Sequence, residues 1–214
     1  MKGRRLAWFS TALMLTVCTS VSAQSPAASA PSTPASAERL ATQVCATCHG
    51  PKGESRISPA FPRLAGQQAD YIESQLKAFR DRSRGDPMAQ AFMWGMASQL
   101  SDDVITQLAA YFAAQKPVKS AAAAPKLVAT GRTIFTEGIP AANVVPCMSC
   151  HGQHAEGNAS IPRLAGQHVE YLVKQLGLFK SEMRADAAAA IMHVNVAGMT
   201  FEQMEAVAAY ESAQ

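Results

Sequence analysis

The chain carries no excess of charge of either sign once its N-terminal segment is set aside. It has 19 Lys and Arg residues against 16 Asp and Glu residues. Three of the basic residues, Lys2, Arg4 and Arg5, lie within the first 23 positions, which contain no acidic residue. The remaining chain is balanced, with 16 residues of each sign. This balance gives no support to nucleic-acid binding, because proteins of that class present a basic surface to the phosphates.

The N-terminal segment lacks an apolar run long enough to span a membrane. Its apolar stretch, LAWFSTALMLTV at residues 6–17, falls short of the ~18 residues that indicate a transmembrane helix. A basic start precedes this stretch, and the small-x-small sequence VSA ends at residue 23. These features predict an export signal over residues 1–23 and no integral membrane segment in the mature chain. Lipidation at Cys18 is the less favoured alternative, because bulky Val17 precedes it.

Cysteine is scarce, and outside the export signal it occurs only in two short motifs. Residues 45–50 are CATCHG and residues 147–152 are CMSCHG. The free thiols of an exported protein are expected to be oxidised in its compartment, so these cysteines need chemical protection. Cys-x-x-Cys-His is the attachment pattern of c-type haem, in which both thiols form thioethers and the adjacent imidazole reaches the iron. A redox dithiol, a disulfide and half of a four-thiolate zinc site are the competing interpretations.

The two motifs therefore predict two covalently bound haem c groups. The predicted thioether residues are Cys45, Cys48, Cys147 and Cys150, and the predicted iron-ligating imidazoles are those of His49 and His151.

The segments that follow the two motifs are also copies of one another. Residues 61–80 are FPRLAGQQADYIESQLKAFR, and residues 161–180 are IPRLAGQHVEYLVKQLGLFK. A repeat of this length indicates two copies of one folding unit. Apolar residues three and four apart predict amphipathic helices in both copies, and no segment predicts a strand. The predicted fold is all-α, with two tandem small domains that each wrap around one haem. A core this small is only marginally stable by itself, and a covalently held haem would supply the missing apolar surface.

Composition sets the predicted domain boundaries. A stretch dominated by Pro, Ala and Ser follows the export signal and predicts a disordered tether, and a similar stretch lies in mid-chain. The predicted divisions are an export signal at 1–23, a tether at 24–37, a first domain at 38–115, a linker at 116–125 and a second domain at 126–214. The predicted helix N-caps are Ser36, Ser101 and Thr200, the last with Gln203 three residues later.

Each iron needs a second ligand, and Met and His are the usual candidates. The repeat selects Met93 and Met192, because each lies eight residues before the predicted cap of the last helix in its copy. They follow the motif histidines by 44 and 41 residues, which leaves room for one helix and a returning loop. His193 is the rival ligand in the second copy, where the first copy has Trp94. The remaining methionines are expected to fill the core.

The Pro-Arg-Leu segment of each copy supplies further predicted haem contacts. A haem-ligating histidine usually donates its second ring N–H to a backbone carbonyl, and Pro62 and Pro162 are the expected acceptors. Leu64 and Leu164 are expected to pack on the haem.

Two groups of polar residues are predicted to lie at the surface. We expect His154 and His168 to be solvated, because neither has a histidine counterpart in the other copy. The arginines of RDRSRGD at residues 80–86 are interpreted as a solvated turn, because neighbouring aspartates offset part of their charge. The alternative is a docking patch for an acidic partner, formed by Arg80, Arg82 and Arg84.

These motifs together resemble the dihaem cytochrome c4 family, which has two class I cytochrome c domains in tandem. The resemblance rests on CATCHG and CMSCHG, on FPRLAGQ and IPRLAGQ, and on the segments that begin at Met93 and Met192, and it covers the chain from about residue 38 onward. It implies His/Met ligation of one haem c per domain, a periplasmic location, and electron transfer rather than enzyme activity. One departure is Val194, which stands where the first copy has Gly95.

The resemblance also implies redox proteins as partners. The donor would be a cytochrome bc1-type complex or a dehydrogenase, the acceptor would be a terminal oxidase, and association with a membrane surface stays open. The favoured function is a mobile electron carrier. The alternative is the dihaem subunit of a periplasmic dehydrogenase, similar to a flavocytochrome c sulfide dehydrogenase. A peroxidase-like enzyme is disfavoured, because it needs an iron with an open site and both copies supply a methionine.

Overall fold

The computed structural model describes residues 33–120 and 124–214, which form two helical halves. The predicted export signal and the tether up to residue 32 lie outside the described residues. Within the described ranges the chain has no β-strand, and its only β-type contacts are two isolated bridges. None of the helices in these ranges is long and apolar enough to cross a bilayer.

The first half begins with one helical rod that ends at the first Cys-x-x-Cys-His motif. The elements of this half are α1 (Pro34–Leu40), a π-helical turn (Ala41–Cys45), α2 (Ala46–His49), α3 (Ala69–Arg80), a second π-helical turn (Ala89–Met93), α4 (Trp94–Ala97) and α5 (Asp102–Ala113). Small side chains at Ala37 and Ala41 let the rod lie close to α5, where Phe112 completes the buried core.

The second half repeats this arrangement, with an insertion between its first helix and its motif. Its elements are α6 (Pro125–Glu137), a 3-10 turn (Pro140–Ala142), α7 (Met148–His151), α8 (Val169–Lys180), α9 (Ala190–Val196) and α10 (Phe201–Ser212). Helices α6 and α10 cross so closely that a Cβ added to Gly131 would lie 1.9 Å from the carbonyl oxygen of Ala206. This crossing buries Phe135 completely and packs it into the core of the half.

The last helix of each half is capped as the sequence predicts. The Ser101 hydroxyl accepts a hydrogen bond from Val104 N at 3.4 Å. Thr200 and Gln203 form the predicted reciprocal box: Gln203 N donates to Thr200 Oγ1 at 3.3 Å, and Thr200 N donates to Gln203 Oε1 at 2.8 Å. These side chains satisfy backbone N–H groups that the first turn of a helix leaves unpaired.

The first helix begins earlier than predicted, and its predicted cap is wrong. The N-cap is Thr33, and Ser36 lies in the first turn, where its hydroxyl accepts from Thr33 N at 3.0 Å. Pro34 suits the first helical position, because its missing N–H would be unpaired there in any case. Ala37 is buried against the first-half core. The end of the predicted tether at 24–37 therefore belongs to the folded domain.

We predict that Gly131→Ala destabilises the protein. The added methyl group would force α6 and α10 apart, and overpacking of this kind costs roughly 1–3 kcal/mol. The matched control is Gly177→Ala in α8, where an added Cβ meets no atom within 4 Å. That control should raise the unfolding free energy by roughly 0.5–1 kcal/mol, since alanine favours a helix over glycine. Denaturant unfolding of both variants measures this, and equal effects would contradict the close crossing.

Candidate functional site

Each motif histidine is buried at the end of a helical turn and is held by a proline carbonyl. His49 Nδ1 donates to Pro62 O at 2.9 Å, and His151 Nδ1 donates to Pro162 O at 3.0 Å. A carbonyl can only accept, so these bonds place the ring proton on Nδ1 and leave the Nε2 lone pair for a metal. The two prolines are the predicted acceptors, and their role beside a haem stays a prediction.

The electrostatics of both imidazoles favour the metal-binding form. Burial lowers the pKa of His49 and of His151, and the bond to the proline carbonyl raises it by less. Both rings are therefore neutral near pH 7, which is the form that ligates iron. Directly after each histidine the chain turns through a glycine with positive φ, +79° at Gly50 and +84° at Gly152. A side chain at either position would be strained and would meet a glutamate.

The first thiol of each motif lacks the lowered pKa that a redox dithiol needs. Burial raises the pKa of Cys45, and it raises the pKa of Cys147 to about 12, with the carboxyl of Glu211 as a second cause. A reactive dithiol needs a lowered thiol pKa. Across residues 33–120 and 124–214, no three His, Cys, Asp or Glu side chains come together as a metal-binding group. The zinc interpretation therefore has no support in this part of the chain.

Two arginines offer an additional test of whether a haem fits these sites. Arg63 and Arg163 follow the two prolines, and their Nε atoms are buried with no hydrogen-bond partner in the described part of the chain. An unpaired buried guanidinium N–H is costly. The carboxylates of a haem would satisfy such donors with charge-assisted bonds. Histidines, cysteines and arginines therefore suit a haem in both halves.

The two predicted methionine ligands occupy partly buried positions in corresponding segments. Met93 ends the second π-helical turn and packs against a small buried cluster of Phe79, Ala89 and Ala97. Met192 lies in α9 and packs against the core of the second half. The expectation that the other methionines fill the core is wrong for Met96 and Met183, which are more than half exposed, whereas Met199 and Met204 are buried in the core as expected. A Cβ at Gly95 would meet no atom within 4 Å, and Val194 is exposed, so this departure between the copies is accommodated without a clash.

The residues that follow these methionines make equivalent hydrogen bonds. Trp94 Nε1 donates to Arg84 O at 2.8 Å, and His193 Nε2 donates to Arg184 O at 2.6 Å. His193 thus occupies the place of Trp94, and its Nε2 is engaged by the carbonyl of Arg184.

The expectation for the remaining histidines is half right. His154 is exposed, as predicted. His168 is not solvated, because its Nε2 donates to Ser55 O in the other half at 2.8 Å. Burial, with Arg63 as a second cause, lowers the pKa of His168 and keeps the ring neutral.

The predicted surface cluster of arginines is wrong for one member. Arg84 is only 5% exposed and forms an ion pair with Asp86 at 2.9 Å, so it belongs neither to a solvated turn nor to a docking patch. Arg184 and Asp186 form the same buried pair in the second half, at 3.1 Å. The sequence contained a signal for this feature, because Arg-x-Asp recurs at the same position of both copies.

One further titratable residue is buried in the second half alone. The carbonyl of Glu211 accepts from Gly166 N, as the carbonyl of Phe112 accepts from Gly66 N, so Glu211 stands where the first half has a core phenylalanine. Its side chain is 3% exposed, and desolvation raises its pKa to about 8. The repeat carries the signal for this residue, because Glu211 stands where the first copy has Phe112.

Two small helical domains, each with a buried, carbonyl-bound histidine after a Cys-x-x-Cys pair, define a c-type haem protein with two sites. Comparison with known proteins agrees. The family model for cytochrome c matches the chain twice, over residues 35–116 and 128–210. The chain belongs to the cytochrome c family and, within it, to the dihaem cytochromes c4. It holds two covalently bound haem c groups and functions in electron transfer, and the all-α tandem fold predicted from the sequence is confirmed.

Similar proteins cover most of the chain. It is 40% identical over 169 residues to cytochrome c-552 of Acidithiobacillus ferridurans, covering 78% of this chain and 72% of that protein. It is 35% identical to cytochrome c4 of Thiocapsa roseopersicina, covering 83% and 90%. The solved cytochrome c4 of Acidithiobacillus ferrooxidans is 39% identical, with a TM-score of 0.74 and coverage of 79% and 98%. A thiosulfate dehydrogenase electron acceptor of Stutzerimonas stutzeri is 34% identical, covering 79% and 78%.

We predict that Glu211 makes stability depend on pH. The pKa of Glu211 in the folded protein is about 8, which lies above the ordinary value of 4.5. The neutral carboxyl therefore contributes fully to the unfolding free energy below pH 4.5, and this contribution is lost as the pH rises to about 8. The slope within this window is at most about 1.4 kcal/mol per pH unit.

Denaturant unfolding of the holoprotein from pH 4.5 to 9 measures the effect. Glu211→Gln should remove this pH dependence, and Glu205→Gln, a partly exposed position on the same helix, should keep it. A difference between wild type and Glu211→Gln that stays constant with pH would contradict the prediction.

Proposed function

We propose that this cytochrome is a periplasmic electron carrier whose irons are ligated by His49 with Met93 and by His151 with Met192. The observation that carries the ligand assignment is the equivalence of the two halves. Each half presents a neutral imidazole with Nδ1 held by a proline carbonyl. Each also presents one partly buried methionine immediately before a residue hydrogen-bonded to an arginine carbonyl.

The cysteines and the prolines would have different roles in holding the cofactor. A bound haem c supplies a one-electron couple between ferric and ferrous iron. The thiols of Cys45, Cys48, Cys147 and Cys150 would anchor it covalently. Pro62 and Pro162 orient the imidazoles, which makes them stronger and more rigid ligands.

The surroundings of each haem would tune its potential. Leu64 and Leu164 pack at the edges of the two cores, where they would exclude water from the haem faces. Methionine as the second iron ligand raises the reduction potential of the haem relative to a second histidine. Arg63 Nε and Arg163 Nε would bind the haem carboxylates.

Partner docking near the haem edges is supported by exposed apolar side chains. Phe92 and Ile191 precede the two methionines and are 46% and 64% exposed. Val44 and Val145 flank the two motifs and are about half exposed. Apolar rims of this kind suit brief encounters with redox proteins, such as a bc1-type complex or a dehydrogenase as donor and a terminal oxidase as acceptor. Arg84 takes no part in such a surface, because it is buried.

A second candidate function is the electron-accepting subunit of a dehydrogenase. It is favoured by the similarity to a protein named thiosulfate dehydrogenase electron acceptor. In that case the same haems would receive electrons within a stable complex.

We predict that Met93→Ala and Met192→Ala each remove about half of the near-infrared band that Met–iron bonding produces in the oxidised protein. Each variant loses the methionine ligand of one haem, and the haem of the other half keeps its methionine. The control is Met96→Ala, because Met96 is 58% exposed and is three residues from Met93. Its spectrum should equal that of the wild type. Full retention of the band in Met192→Ala, together with its complete loss in Met93→Ala, would exclude Met192 as a ligand and assign the second ligand to His193 instead.

We predict that the protein behaves as a free carrier. It should be recovered in the periplasmic fraction and elute from size exclusion without a flavin-containing partner. The extract should be run at low and at high salt, because weak, charge-steered complexes dissociate as ionic strength rises. Stoichiometric co-elution with a dehydrogenase at both salt concentrations would replace the carrier by the subunit function. Recovery in the cytoplasmic fraction would contradict both.

A further inference from the structure

The two halves meet at a buried ring of arginine and glutamine side chains. Gln75 Oε1 accepts from Arg84 Nη1 at 2.6 Å and from Arg184 Nη2 at 2.8 Å. Gln175 Oε1 accepts from Arg184 Nη1 at 2.8 Å and from Arg84 Nη2 at 3.0 Å. All four side chains are buried. In this arginine–glutamine ring, each arginine binds the glutamine of its own half and that of the other half.

The charges of the ring are held in place by partners on the same segments. Asp86 and Asp186 accept from the Nε atoms of Arg84 and Arg184. Burial lowers the pKa of Arg84, but Tyr171, Tyr71 and Asp86 raise it, and the net direction is upward. Both arginines thus have several acceptors, as buried charges require. Removing one acceptor leaves charged donors unpaired, so the arginines have to move.

The backbone carbonyl of each ring arginine is hydrogen-bonded to the residue that follows a proposed iron ligand. The carbonyl of Arg84 accepts from Trp94, the residue after Met93, and the carbonyl of Arg184 accepts from His193, the residue after Met192. The first half has a second connection, because Asp86 Oδ1 accepts from Ala89 N at the start of the turn that ends at Met93. The two methionine segments are therefore connected through the ring by hydrogen bonds to the backbone and to the side chain of each arginine.

We propose that the arginine–glutamine ring positions both methionines, so that a change in one half alters the iron–sulfur bond in the other half. This inference rests on the proposed ligation by Met93 and Met192. Residues behind a metal ligand orient it and tune the metal, although they do not touch it. Here the orienting residues are shared between two sites. Gln75 in the first half is a positioning residue for the second haem, through Arg184 and His193.

A purely adhesive role of the ring makes a different prediction. If the ring only holds the halves together, its substitution lowers the unfolding free energy but leaves the Met–iron bond of the folded protein unchanged. The methyl resonance of an iron-bound methionine in reduced protein, together with the reduction equilibrium of each haem, separates the two roles. Met93→Ala and Met192→Ala first assign one resonance to each half. Failure of that assignment refutes the proposed ligands and is distinguishable from failure of the ring.

The test is Gln75→Leu in the holoprotein. We expect the resonance of the second haem to shift, and its reduction equilibrium to change by roughly two- to thirtyfold, the range of long-distance couplings. The control is Lys77→Gln, two residues away on the same helix, where a partly exposed ion pair with Glu73 is lost. It should leave the second haem unchanged. Gln75→Glu, which keeps an acceptor oxygen, should restore the resonance.

A double-mutant cycle locates the route. With His193→Phe, the link from Met192 to Arg184 is cut, so Gln75→Leu should then affect the second haem less than half as much. Trp94→Phe removes the hydrogen bond from Trp94 Nε1 to Arg84 O, which lies away from the interface, and should shift the first haem because the ring then no longer positions Met93. It tests the link between the ring and Met93 if Gln75→Leu does not fold. An unchanged second haem in Gln75→Leu, or an equal effect with and without His193, would overturn the proposal. So would an unchanged first haem in Trp94→Phe.

Discussion

The hydrogen bond from each motif histidine to a proline carbonyl is the contact on which the rest of the structure depends. It sets the tautomer of the imidazole and anchors the Pro-Arg-Leu segment across the loop after the motif. The same segment then enters the interface between the halves. Arg63 N donates to Gln167 Oε1 at 2.8 Å, and Gln167 Nε2 donates to Arg63 O at 3.0 Å. One short segment therefore both holds the motif histidine and contacts the other half.

The second half returns this contact with its own copy of the segment. Arg163 N donates to Gln67 Oε1 at 2.7 Å, and Gln67 Nε2 donates to Arg163 O at 2.9 Å. Such reciprocity is expected when a duplicated unit packs against its copy through one self-complementary surface. The arginine–glutamine ring obeys the same symmetry. The segments that hold the two motif histidines therefore also hold the two halves together.

The copies differ where each half needs its own properties. Glu211 replaces the core residue Phe112, and His193 replaces Trp94 while keeping its hydrogen bond to an arginine carbonyl. His168 reaches across to Ser55, whereas its counterpart Gln68 donates to Glu156 O at 2.9 Å. The first two exchanges preserve the backbone contacts, and Glu211 adds a polar group beside Cys147 of the second motif. The two halves therefore have similar folds but different side chains around their motifs.

The sequence by itself determined the motifs, the duplication, the helices and the methionine candidates, because these depend on short spacings and on a periodicity that a linear chain displays. It also carried the proline acceptors as a prediction. It did not reveal that Arg84 is buried, since RDRSRGD has the composition of an exposed turn. Only the tertiary structure decided this, by bringing Gln75 and Gln175, 9 and 91 residues away, to the same guanidinium. A charge is buried where distant acceptors converge on it, and convergence of distant groups is a property of the folded chain.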